Sequence, residues 1–150
     1  MLNVGCVPVF QRQLYALLER LEEEGYVAGA IEARGNRPPR RMLCLTGSGE
    51  AVFKQWLSQP VDHGRDFRQE FMAKLHFARA EGPATVTALI DCQRRVCQRR
   101  LDSFQQQLAG VPPDRVLDSL VLQFRIAQMA TILTWLDTCT RMLAVSASFR

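Results

Sequence analysis

Toward its C-terminal end the chain offers two long stretches of helical periodicity separated by one tight break, GVPPD at residues 110–114. That arrangement leaves little freedom. Pro83 opens the first stretch, which runs to about Leu108 with Leu89, Val96, Leu101, Phe104 and Leu108 on its apolar side. The second starts at Asp114 or its neighbour and reaches roughly Ala144. Long helices joined by a short connection pack as an antiparallel pair. With Trp135 and Leu136 on the last helix, their apolar surface exceeds what one small helical hairpin can bury. A second copy of the chain is therefore expected, with those residues as candidate dimerisation contacts.

Before this pair, Phe67 to Arg79 reads as a shorter helix with Phe71, Leu75 and Ala78 in one stripe. The polar stretch SQPVDHGRD, residues 58–66, marks a boundary, which divides the chain into residues 1–59 and 60–150. The first part reads differently. Leu14, Leu17, Leu18 and Leu21 recur at one helical face, and Gly25 supplies the left-handed stop that glycine adopts most cheaply. The thirteen residues ahead of Leu14 include Pro8 and are expected to add at most a turn or an extended arm. Tyr26 to Ala33 alternate as a short strand, RGNRPPR forms a proline-stiffened turn, and Arg41 to Leu45 return as a second strand. Thr46 can cap a following helix whose apolar side is Val52, Phe53, Trp56 and Leu57. Helix, β-hairpin and helix in this order form the second half of a winged helix-turn-helix. The fold class is mainly α with a small β-hairpin wing: a partial winged helix-turn-helix, then a helical dimerisation domain.

Composition excludes more than it selects. The chain has 150 residues, 47% of them hydrophobic and 23% charged, an ordinary globular balance. A net charge of +4 permits nucleic acid as a partner without demanding it. No apolar run approaches the ~20 residues of a membrane span, and the first residues lack the basic start and cleavage pattern of a secretory signal. Cys6, Cys44, Cys92, Cys97 and Cys139 are scattered, with no closely spaced pair. They read as reduced thiols of a cytoplasmic protein. Cys92 and Cys97 point to different sides of a helix and cannot pair with each other. His63 and His76 have no partner at metal-ligand spacing, so no metal is expected and no cofactor either. No nucleophile–base pair, paired carboxylates or glycine-rich phosphate loop is present, so an enzyme is not expected.

Charge is concentrated locally. Arg34, Arg37, Arg40 and Arg41 cluster at the hairpin with no acid between Arg34 and Arg41, a tip able to straddle phosphates or enter a minor groove. Arg12, Gln13 and Tyr15 stand at the start of the leucine-faced helix. The N-terminal end of such a helix reads base edges, glutamine pairing with adenine and arginine with guanine. A bland reading remains beside each: a solvated basic turn, and an exposed helix start. For Arg94, Arg95, Arg99 and Arg100 the bland reading is the stronger one, a charged face that pairs with acids.

Several of these stretches resemble the PadR family of bacterial transcriptional regulators. QLYALLERLEEEGYV is similar to the family's recognition-helix signature, with Gln13, Leu14, Tyr15, Leu18, Leu21, Glu22, Gly25 and Val27 in register. RRMLCLTGSGEAVFKQWL resembles the wing's return strand and the next helix, through Leu45, Thr46 and Gly49, although Leu43 stands where an aromatic residue is common. EFMAKLHFA and TWLDTCTRML resemble the opening and closing elements of the family's C-terminal domain. The resemblance implies a cytoplasmic homodimer that binds double-stranded DNA and acts as a repressor, and a small aromatic effector near Trp135. Members of the family have two further helices ahead of the quoted segment. The chain is thus expected to begin inside the DNA-binding domain, with its leucine face partly uncovered. The alternative function is a helical dimerisation protein that has lost DNA binding of its own and pairs with a longer relative.

Overall fold

The computed structural model describes residues 8–34 and 37–147, with side chains described over 13–31 and 41–143. The chain divides into two compact units, one ending at Trp56 and the other starting at Leu57.

In the first unit, helix α1 spans Pro8–Glu23. It begins at Pro8, so the expected turn or arm is helical instead. Proline is well suited to a first helical position, where its missing N–H has no partner to lose. The helix ends where the sequence indicated. Gly25 takes φ 75°, its N–H bonds Glu22 O at 3.0 Å, and the Tyr26 N–H bonds Leu21 O at 2.9 Å. This is a Schellman ending, in which the last carbonyls are satisfied by the reversing chain. Strand β1 (Val27–Arg34) pairs antiparallel with β2 (Arg37–Leu45), Val27 facing Leu45 and Glu32 facing Arg40. The return strand is thus longer than the expected 41–45 and includes Pro38 and Pro39. In a two-stranded ribbon every strand has a free edge that can hold prolines. The ladder's irregularity, between Glu32 and Arg34, falls opposite them.

Helix α2 (Gly47–Ser58) starts from Thr46 as expected. Thr46 Oγ1 accepts the Gly49 N–H at 3.1 Å, and Thr46 O accepts the Glu50 N–H at 2.8 Å.

The second unit contains a 3-10 turn (Gly64–Arg68), α3 (Glu70–Glu81), α4 (Pro83–Ala109) and α5 (Val116–Ala147). Arg94 meets Asp137 and Phe104 meets Arg125, so α4 and α5 run antiparallel. Phe71, Leu75 and Ala78 of α3 are buried as their stripe predicts. The seam of α4 is shifted from the expected one: Val86, Leu89, Ile90, Gln93 and Cys97 are buried, while Val96, Leu101, Phe104 and Leu108 are only partly covered. On α5 the buried residues are Leu122, Met129, Leu136 and Cys139.

The stretch 58–66 is fastened to the helices and is no free connection. The Gln93 side chain accepts the Val61 N–H at 2.8 Å and donates to Val61 O at 3.0 Å. Lys74 Nζ donates to Gln59 O at 2.7 Å, and Arg100 reaches Asp62 at 3.4 Å.

One expectation about membranes needs correcting. The α5 stretch Val116–Leu143 is long and apolar enough to cross a bilayer. Two of its four charges, Arg125 and Asp137, meet α4, however. Asp137 pairs with Arg94 at 2.7 Å, and the Arg125 guanidinium lies 5.6 Å from the Phe104 ring centre. It is a packed helix of this fold, apolar on two opposite sides.

Candidate functional site

The first unit is held together by a set of polar contacts where α1, the hairpin and α2 meet. Gly25 O accepts the hydroxyls of Thr46 (2.6 Å) and Ser48 (2.9 Å), and Tyr26 O accepts the Thr46 N–H at 3.0 Å. The start of α2 thus sits on the stop of α1. Gly49 is obligatory in that junction, since a Cβ there would lie 1.9 Å from Tyr26 O. On the other side, one Glu22 oxygen accepts the Gly29 N–H at 3.2 Å, and the other is paired with Arg41 Nη2.

Relative to this frame, Gln13 and Tyr15 stand exposed on the N-terminal half of α1, Tyr15 with 61% of its surface open. Arg12 lies on the same half, its side chain outside the described residues. Arg34, Arg37 and Arg40 lie in the hairpin strands, likewise with side chains outside the description. Arg41 differs from the other wing arginines in being paired with Glu22. Leu14 and Leu17 are more than half exposed and Leu18 is partly covered.

The candidate dimerisation residues separate into two groups: Val96, Leu101, Phe104, Leu108 and Trp135 are partly covered, whereas Leu89 and Leu136 are enclosed. Leu89 and Leu136, at 2% and 0% exposure, belong to the core of the single chain. A fully enclosed side chain supports an interface only from beneath. The open apolar surface of α5 lies instead on Leu117, Leu120, Val121 and Phe124, spaced i, i+3, i+4, i+7, a stripe that the sequence reading passed over. The stripe continues into a groove of about 880 Å³ lined by Phe67, Arg68, Met72, Phe124, Ile132 and Trp135 among others. Trp135, one of the lining residues, lies edge-on to Phe71 at 5.9 Å.

Arg94 bonds Asp91 and Asp137, and Arg100 bonds Asp62. Half of the second basic cluster is therefore committed within the chain, and Arg95 and Arg99 remain as an exposed charged side. Burial pushes the Cys97 thiol up from its ordinary pKa, against the opposing pull of the Gln93 hydrogen bond and nearby Arg100. Burial raises Cys139 likewise. Among the described residues, no group of three His, Cys, Asp or Glu side chains could hold a metal ion.

Helix, hairpin and helix in one clasped unit, followed by an antiparallel helical pair, define a winged-helix protein with a C-terminal helical domain. Comparison with known proteins gives the family. The family described as Virulence activator alpha C-term matches residues 67–144, more than half of the chain, and the chain belongs to it. The negative transcriptional regulator PadR of Bacillus subtilis (strain 168) is 23% identical over 140 residues, 87% of this chain and 77% of the relative. The chain is a member of the PadR family, a family of transcriptional regulators and not of enzymes. Among solved structures it is similar to Bacillus subtilis PadR in complex with operator DNA (TM-score 0.43, 23% identity, 87% of this chain and 77% of that one). It is also similar to smu.1604c from Streptococcus mutans UA159 (TM-score 0.41, 18% identity, 83% and 75%).

Proposed function

We propose that this chain is a cytoplasmic DNA-binding transcriptional regulator, a repressor, that works as a homodimer. The observation that supports it most is the unit in which Glu22 of α1 holds both hairpin strands, at Gly29 and Arg41, while the start of α2 sits on the stop of α1 through Gly25, Tyr26, Thr46 and Gly49. A helix held at one end by a wing presents its N-terminal half, with Arg12, Gln13 and Tyr15, to the major groove. Arg34, Arg37 and Arg40 then lie along the backbone. The relative's name, a negative regulator, supports repression. The open α5 stripe supports pairing of two chains, which would set two recognition helices on one operator. The groove beside Trp135 suits a small flat aromatic effector with an anionic group toward Arg68.

The test is titration of the full chain on duplex DNA from upstream of its own gene and on an unrelated duplex, over a series of salt concentrations. Binding should weaken steeply with salt, each phosphate contact contributing about −0.9 to the slope. Arg37→Ala with Arg40→Ala should weaken binding to both duplexes and flatten the slope. No binding to either duplex at micromolar protein would overturn the reading. A stable dimer without DNA binding would favour the second reading, a dimerisation protein. The exposure of Leu14 and Leu17, which leaves α1 supported mainly from its hairpin end, favours that alternative.

A further inference from the structure

Arg41 belongs to the basic hairpin, and by composition it should be a phosphate contact. Its surroundings give it another role. The Glu22 carboxylate, projecting from the last turn of α1, makes two bonds at once. Oε1 accepts the Gly29 N–H of β1 at 3.2 Å, and Oε2 accepts from the Arg41 guanidinium of β2. One side chain of the helix therefore holds both strands of the wing. The three residues meet because position 29 has no side chain: a Cβ there would stand 2.8 Å from both Arg41 Nε and Glu22 Oε1. Successive strand residues face opposite sides, so Gly29 opens a gap between Val27 and Ile31, on the face that also presents Leu43 and Arg41. The Glu22 side chain is about two-thirds covered, while Arg41 remains more than half open.

We infer that Glu22, Gly29 and Arg41 form a latch that fixes the angle between the recognition helix and the wing. Arg41 is thus a positioning residue, acting on DNA through Glu22 and not by contact with phosphate. This rests on the DNA-binding reading above and adds to it a division of labour among the arginines. Arg34, Arg37 and Arg40 supply charge to the backbone; Arg41 supplies geometry. Two ways of breaking the latch do not disfavour the helix or the strand in which they are made. Alanine at position 22 is a better helix former than glutamate, and it removes an acid from the C-terminal end of a helix, where acids are unfavourable. Alanine at position 29 suits a strand better than glycine and changes no charge, yet its methyl displaces the Glu22–Arg41 pair.

The test compares the full-length wild type with Glu22→Ala, Gly29→Ala and Arg41→Ala on the two duplexes, over the same salt series. Hydrogen exchange at amide 29 is measured alongside, without DNA. The latch predicts that all three variants lose affinity by roughly fivefold, as suits a well-formed surface pair. It also predicts an unchanged salt slope in each. Glu22→Ala is the sharpest case: charge alone says that removing an acid tightens DNA binding, and the latch says that it weakens it. A slope flattened by about one in Arg41→Ala, with the other two binding like wild type, would make Arg41 a phosphate contact and overturn the inference. If the wild type binds neither duplex, the DNA-binding reading fails separately, and the latch is judged by exchange. Exchange at amide 29 that is slow in wild type and several-fold faster in Glu22→Ala upholds the latch. Equal rates overturn it.

Discussion

Gln93 shows how much a single buried polar residue can organise in this protein. Its side chain is fully enclosed in the helical core, and both ends of its amide are used by Val61, donor to carbonyl and carbonyl to N–H. A third contact runs from Nε2 to Cys97 Sγ at 3.6 Å, a weak bond that fills the remaining donor. Backbone groups at position 61 thereby obtain inside the core the partners a strand would have given them. Gln93→Leu keeps the volume and removes both partners at once. Leaving the Val61 N–H and C=O buried without bonds is expected to cost about 2–4 kcal/mol. Chemical denaturation of the full chain measures this, and a midpoint like that of wild type would show that position 61 finds water instead. Lys74 does a related job. Its stem lies in the core, 1% exposed, while its ammonium meets Gln59 O and Glu70 Oε1.

At the level of elements, the boundaries between helix and strand follow local chemistry, and the same chemistry explains which were legible. Gly25 and Thr46 stop and cap helices through bonds within a few residues of themselves, and Pro83 starts one by its fixed φ, so the sequence alone indicates α1's end and the starts of α2 and α4. The length of β2 was not legible. Pro38 and Pro39 argue against a ladder, and only the free edge of a two-stranded ribbon makes room for them. Nor was the α4 seam. Gln93 and Cys97 occupy core positions because of Val61, 32 residues away, and a helical period drawn through leucines and phenylalanine misses them. Among the candidate site residues, the sequence places Gln13 and Tyr15 at the start of a helix that in fact begins five residues earlier, at Pro8, and it could not separate Arg41 from its neighbours, because only the fold brings it to Glu22. The junction of α1 with α2 makes a sharp prediction. Gly49→Ala forces a methyl group against Tyr26 O and must push α2 off the stop of α1, an overpacking cost of about 1–3 kcal/mol. Gly47→Ala, two residues earlier, meets nothing within 4 Å and should be neutral or slightly stabilising. Thermal denaturation of both variants checks the pair. Equal shifts would mean that the close approach at Gly49 relaxes without cost.

On the scale of the whole molecule, the two units solve the burial problem differently. Up to Trp56 no described apolar side chain is fully buried, and order there comes from the cap, the Schellman ending and the Glu22 bonds. From Leu57 on there is a continuous core, yet its longest helix remains apolar on the side away from that core. Leu122, Met129 and Leu136 face α4, while Leu117, Val121 and Phe124 look outward. A helix apolar on both sides is normally enclosed on both sides. The proposed homodimer would provide the second cover, each such side chain contributing up to about 1.5–3 kcal/mol once taken out of water. The two faces are separable by mutation. Phe124 is 69% exposed in the single chain, so Phe124→Asp should leave the monomer's stability within about 0.5 kcal/mol of wild type. In an apolar interface the same carboxylate is expected to weaken pairing by about a hundredfold or more. Leu136→Ala should do the reverse of this, costing about 2–5 kcal/mol of folding stability because it empties an enclosed site. Sedimentation and denaturation of the two variants, each against wild type, give four measurements with opposite patterns. A wild type that sediments as a monomer at micromolar concentration, or a Phe124→Asp dimer as tight as the parent, would move the interface off this face of α5.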